Sequence, residues 1–161
     1  MTKIKHLILF FCLAGCFAAC KNDNSPVDNV SVEEQLKIDT TAIRAFVVKN
    51  NIPAIKDKSG IFYQILQPGA GTVKYTTSTQ VTVDYEGRYL SGSVFDSSKG
   101  QLVTLPLGNL ILGWQIGIPF IQPGGKIRLI IPSGDGYGKQ GQGPIAPNTV
   151  LDFTISLSAA Q

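Results

Sequence analysis

The sequence predicts an α+β fold, in which a curved antiparallel β-sheet wraps around one short helix and an N-terminal helix precedes the sheet. Three observations predict it. After Ile52-Pro53 most apolar segments are short, rich in β-branched residues and bounded by Gly or Pro, which is strand and turn patterning. The 17 glycines and 9 prolines in 161 residues favour strands and tight turns over long helices. Helical spacing of apolar residues occurs in two places, within residues 31–52 and from Ile111 to Ile118.

The first segment belongs to targeting. Met1 to His6 carries two lysines, and Leu7 to Ala19 is almost wholly apolar. That run is short for a membrane span and suits a signal-peptide core, so residues 1–19 are expected to be a lipoprotein signal peptide. Leu13-Ala14-Gly15-Cys16 matches the bacterial lipobox more closely than Phe17-Ala18-Ala19-Cys20. Cys20, however, opens onto the polar run KNDNS, and a lipidated cysteine should lead into a soluble tether. Cys20 is therefore the expected lipidation site, with Cys16 the alternative. Several acyl chains there would hold the chain on a membrane outside the cytoplasm. A bacterial outer membrane, at its periplasmic face or at the cell surface, is the expected location.

Processing would have a chemical consequence. His6 is the one histidine, and it would leave together with Cys12 and Cys16. Ser-His-Asp and Cys-His catalysis are then excluded, as is nearly every transition-metal site, and no cofactor is expected. The formal charge of +3 includes Lys3 and Lys5, which leaves 12 basic against 11 acidic groups beyond the signal. With no basic stripe, nucleic acid is not an expected partner.

Residues 20–30 read as a flexible polar tether. Ser31-Val32-Glu33-Glu34 forms a capping box, and Leu36, Ile43 and Val47, with Phe46 beside them, make an apolar stripe as far as Asn50-Asn51. An isolated helix of about 20 residues is marginal in water. The stripe is therefore expected to dock, either on its own domain or as a short dimerisation arm. Gly60 to Gly69 holds a strand ending at Pro68-Gly69, and Val73 to Gln80 is expected to be a second. From Val81 to Ser98, Val81, Val83 and Tyr85 share one face, while Asp84 and Glu86 point to solvent. Gly87 and the Ser91-Gly92-Ser93 turn are expected to break that strand. Gln101 to Gly108 and Ile127 to Pro132 are further strands. In the last strand, from Val150 to Leu157, Leu151, Phe153, Ile155 and Leu157 alternate with Asp152, Thr154 and Ser156, predicting one buried and one wet face. The short helix lies between Leu110 and Gly125, cut short by Gly117 and Pro119.

Four blocks, VTVDYEGRYLSGSVFDSS, LPLGNLILGWQIGI, GGKIRLIIPSGDGYG and IAPNTVLDFTISL, occur in this order. Together they resemble the FKBP-type peptidyl-prolyl cis-trans isomerase domain, over roughly Ser59 to Leu157, with residues 53–161 as the FKBP-like unit. The N-terminal arrangement resembles lipoprotein members from Gram-negative bacteria. The resemblance implies rotation about X–Pro bonds in proline-containing polypeptides and assistance to the folding of exported proteins. It also makes macrolides of the rapamycin type candidate inhibitors. It places the substrate proline on Trp114, between walls formed by Tyr85, Phe95 and Phe153, with Val103, Leu110, Ile111 and Ile145 at the apolar rim. Asp96 is then a buried acid, and the Tyr137 hydroxyl and the Ile111 N–H bond carbonyls of the bound peptide. Val103 stands where many members place an aromatic, the loop from Gly108 to Gly113 is about two residues shorter, and Gln142 and Pro144 replace the usual loop residues. These departures spare the floor and alter the rim, and so bear on sequence preference and macrolide affinity.

Isomerisation suits a chain without histidine or thiol, because no proton moves and no covalent bond forms. Other readings are weaker. Asp96 with Asp135 makes a poor case for a paired-carboxylate hydrolase, and Asp135 reads as a turn residue. The glycines from 134 to 143 lack the lysine-serine ending of a phosphate loop and read as a flap over the pocket. The competing expectation is a peptide-binding chaperone or interaction module of the same fold with little isomerase activity.

Overall fold

The structure, a computed structural model, describes residues 30–161. The expected signal peptide and all but the last residue of the tether lie outside the described residues. Helix α1 (Val32–Lys49) begins at Ser31, whose side chain accepts from the Glu34 N–H, and ends at Asn50. Seven strands follow, interrupted by one short helix. They are β1 (Ile55–Lys56), β2 (Phe62–Gln67), β3 (Gln80–Tyr89), β4 (Val94–Ser97), β5 (Val103–Pro106), β6 (Gly125–Ile131) and β7 (Leu151–Ala160). The short helix α2 (Leu112–Gly117) lies between β5 and β6 and runs on as a 3-10 turn over Ile118–Phe120.

All pairings in the sheet are antiparallel. The order is β1-β2-β6-β7-β3-β4, and β5 shares the β3 edge with β4. β3 can carry two partners on one edge because it is long: Gln80 to Val83 pair with β5, and Glu86 to Arg88 with β4. The concave face holds the main core of Val81, Val83, Ile127, Leu129, Ile131, Leu151, Ile155 and Leu157, against Trp114, Ile118 and Ile121. Helix α2 approaches the sheet through two glycines. A Cβ on Gly113 would lie 2.5 Å from the Ile131 side chain, and one on Gly117 2.5 Å from that of Leu129. The backbone therefore rests directly on β6.

Helix α1 covers part of the opposite face. Ile43 and Val47 pack there with Phe62, Ile130 and Val150, so the apolar stripe docks on its own domain. Asp39, one turn before Ile43, is 3% exposed. This cover changes the expected wet face of β7. Asp152 is 4% exposed, and its two oxygens accept from Nε and an Nη of Arg128 at 2.9 and 2.6 Å.

Two other expectations are corrected. Val73 to Thr79 form no strand, and β3 starts only at Gln80. The backbone of this segment is bonded elsewhere: the Val73 N–H donates to Gln122 Oε1 at 2.8 Å, and the Thr77 carbonyl accepts from the Gly108 N–H. Gly87 does not break β3, which runs through it to Tyr89 with Gly87 paired to Asp96 and to Phe153. The two-residue strand β1 had no signal in the sequence.

Candidate active site

Strands β3, β4, β5 and β7, helix α2 and the β6–β7 loop converge on a cleft of about 190 Å³. Tyr85, Asp96, Leu105, Asn109, Leu110, Ile111, Trp114, Tyr137 and Phe153 line it. Three rings form its base. The Trp114 and Phe153 centroids lie 5.2 Å apart at 87°, and Tyr85 meets Trp114 at 5.2 Å and 79°. Edge-to-face packing of this kind fixes each ring through its quadrupole as well as its burial. Trp114 is 4% exposed, and its indole N–H is buried with no hydrogen-bond partner among the described residues. The floor therefore presents carbon to the cleft rather than a hydrated donor.

Polar groups stand at the margin. The Tyr85 hydroxyl donates to Asp96 Oδ2 at 2.8 Å. Burial first, and then the bond to Asp96 and its charge, push the Tyr85 hydroxyl up to about 12. Burial and the same carboxylate also raise Tyr137. Both phenols thus remain donors far above neutral pH. The Ile111 N–H, just ahead of α2, makes no backbone hydrogen bond among the described residues.

Seven residues expected at the site line this cleft: Tyr85, Asp96, Leu110, Ile111, Trp114, Tyr137 and Phe153. Asp96 differs from expectation in being exposed rather than buried, on the edge strand β4. Phe95 stands behind the cleft, edge-to-face against Phe153 at 5.4 Å and 89°, and beside Tyr89 at 5.1 Å. Val103 is half-buried against the core, and Ile145 is in the core itself, so neither lines the cleft.

Four contributing residues had not been picked out. Leu105 lies two positions after Val103, on the same face of β5, and reaches the cleft that Val103 does not. Asn109 comes from the 3-10 turn Leu107–Asn109, which has no periodic signal. Tyr89 donates its hydroxyl to the Pro144 carbonyl at 2.8 Å and so ties β3 to the loop that carries Tyr137. Gly87 makes room for the rings. A Cβ there would lie 2.6 Å from Phe153 Cε1 and 2.6 Å from Phe95 Cζ.

Residues 71–158 match the family model of the FKBP-type peptidyl-prolyl cis-trans isomerases. The chain belongs to that family. Among its relatives, the peptidyl-prolyl cis-trans isomerase Mip of Coxiella burnetii is 42% identical over 119 residues, covering 71% of this chain and 51% of that protein. FkpA of Escherichia coli K12 is 38% identical over 101 residues, covering 62% of this chain and 37% of that protein. The chain spans about half, or less, of the length of the curated relatives it matches. Two crystal structures share the fold. A peptidyl-prolyl cis-trans isomerase of Pseudomonas syringae has a TM-score of 0.66 and 34% identity, covering 78% of this chain and 95% of that one. Escherichia coli FkpA has a TM-score of 0.66 and 29% identity, covering 80% of this chain and 64% of that one.

Proposed function

We propose that the chain catalyses cis–trans rotation about X–Pro bonds of polypeptides and assists the folding of exported proteins. The observation that carries this reading is the aromatic cleft of Tyr85, Trp114 and Phe153, bordered by the Tyr137 hydroxyl and the free Ile111 N–H. It is smaller than the roughly 300–1,000 Å³ of a drug-sized site, in keeping with a single proline ring.

Rotation must break amide resonance, a barrier of about 18–20 kcal/mol. Resonance weakens when the carbonyl oxygen leaves water, because the charge-separated form loses solvation. A proline ring on Trp114, between Tyr85 and Phe153, places the imide in such a setting. The Tyr137 hydroxyl and the Ile111 N–H then hold carbonyls of the peptide so that the imide can twist. Asp96 acts through Tyr85, fixing its ring at the wall. A millionfold acceleration requires lowering the barrier by about 8 kcal/mol, within reach of shape, desolvation and two hydrogen bonds acting together. No step calls for a histidine or a thiol.

The test is a protein whose refolding is limited by a proline isomerisation. Catalytic amounts of this chain should speed the slow phase in proportion to concentration. A phase left unchanged or slowed would favour the peptide-binding module over the isomerase.

The reading extends to location. The apolar run before Cys20 and the polar run after it support lipidation at Cys20, or alternatively Cys16, with the domain held on a bacterial outer membrane outside the cytoplasm. Radiolabelled palmitate should label the protein and lose the label when Cys16→Ala and Cys20→Ala are combined. Equal labelling of the double variant contradicts lipidation at either residue. Macrolides of the rapamycin type are proposed to compete for the cleft.

A further inference from the structure

The loop that carries Tyr137 is held from outside the sheet. Asp39 of α1 and Ser133 are 3% and 0% exposed, and 94 positions separate them in sequence. Asp39 Oδ2 accepts from the Ser133 N–H at 2.7 Å and from the Ser133 hydroxyl at 2.6 Å. The other oxygen accepts from Gln35 Nε2 at 2.7 Å, which orients the carboxylate. The Ser133 carbonyl in turn accepts from the Gly136 N–H at 3.0 Å and from the Gly138 N–H at 2.8 Å. Those two residues flank Tyr137. The Gly138 carbonyl then accepts from the Asn148 N–H at 2.8 Å, which closes the base of the loop. A buried carboxylate on α1 is thus connected through one serine to both backbone neighbours of a cleft residue.

We infer that Asp39 is a positioning residue for the isomerase cleft, acting through Ser133 to fix Tyr137. This rests on the isomerase reading. Trp114 and Phe153 sit on α2 and β7, whereas Tyr137 lies on the β6–β7 loop, outside any helix or strand. Without the carboxylate, two buried donors of Ser133 lose their acceptor, and a buried unpaired donor is costly enough to shift a loop. The apolar contacts of α1 are a separate matter, because Ile43 and Val47 touch Phe62, Ile130 and Val150 rather than the loop.

The test measures kcat/KM on a proline tetrapeptide for the full chain, with folding checked at the assay temperature. Asp39→Ala should lower kcat/KM roughly 3- to 30-fold. Asp39→Asn should recover most of it, since the amide oxygen still accepts from Ser133 and Gln35 can turn its own amide to match. Ile43→Ala, which loosens α1 without touching Ser133, should stay within about twofold of wild type. The deciding readout is the double variant: with Tyr137→Phe in place, Asp39→Ala should lower the rate little further, whereas a merely structural role gives additive losses. Should Asp39→Ala not fold, Ser133→Ala removes the hydroxyl alone, and the same cycle is run with it. Additive losses, or a folded Asp39→Ala protein as active as wild type, overturn the inference and leave the isomerase reading intact. An inactive wild type defeats that reading and this inference with it.

Discussion

Gly87 has the place of a side chain taken by two rings, Phe95 and Phe153, each within 2.6 Å of where a Cβ would sit. Gly87→Ala should therefore force the rings apart, destabilise the domain by about 1–3 kcal/mol, and lower activity more than that stability loss explains. Denaturant unfolding and the isomerase rate of the same sample check both parts. Tyr85 gives a pH prediction. Its hydroxyl is raised to about 12, while a tyrosine in the unfolded chain titrates near 10. The folded state holds this proton more tightly than the unfolded state does. The stability linked to it is therefore complete below about pH 10 and is lost as pH rises towards 12. Asp96→Asn removes the charge and should bring the Tyr85 titration down towards the ordinary range, though burial keeps it above. Following tyrosinate absorbance against pH tests this, and an unchanged titration contradicts the Asp96 contribution. At this scale seven of the cleft-lining residues had been expected, whereas Leu105 and Asn109, in the same sequence block as Trp114, had not. The sequence did not show Gly87, whose contribution is an absence of atoms. Leu105 is two positions after Val103 on the same face of β5, whereas the resemblance placed Val103 at the rim.

Among elements, α1 was legible as a helix and less so as a neighbour. Its cap at Ser31 and its stripe of Ile43 and Val47 follow from pattern. Asp39 lies on that same stripe, where a lone carboxylate reads as solvated; only its tertiary partner Ser133 makes it buried. Asp152 is the same case on β7, where strict alternation implied a wet face until α1 covered it. Ile43 is fully buried, and Ile43→Ala should cost about 2–5 kcal/mol in chemical denaturation. Asp152→Ala should destabilise towards the lower end of the roughly 3–5 kcal/mol typical of a broken buried pair, because the Arg128 side chain keeps 27% of its exposure. A loss below about 0.5 kcal/mol would place the pair among ordinary surface bridges. The segment from Val73 to Thr79 misled for the opposite reason. Its β-branched residues suit a strand, but Gln122 and the Leu107–Asn109 turn take up its hydrogen bonds before any strand can.

For the molecule as a whole, the sheet, α2 and the β6–β7 loop each supply part of one cleft, and no element contains it. This is why the fold class could be read from local patterning, while the cleft emerged from four separated blocks taken together. Long β3 sets the geometry by carrying Tyr85 and Gly87 and by pairing with β4, β5 and β7. Helix α2 brings Trp114 underneath because Gly113 and Gly117 let it lie flat on β6. In the proposed mechanism this aromatic cleft speeds X–Pro rotation without acid–base chemistry. The most direct measurement is the cis-to-trans rate of a proline tetrapeptide in a protease-coupled assay, comparing wild type with Trp114→Leu and Tyr137→Phe. The wild-type rate should rise linearly with enzyme, with a large loss for Trp114→Leu and a smaller one for Tyr137→Phe. A wild-type rate no faster than buffer, or a folded Trp114→Leu protein as active as wild type, would overturn catalysis by this cleft.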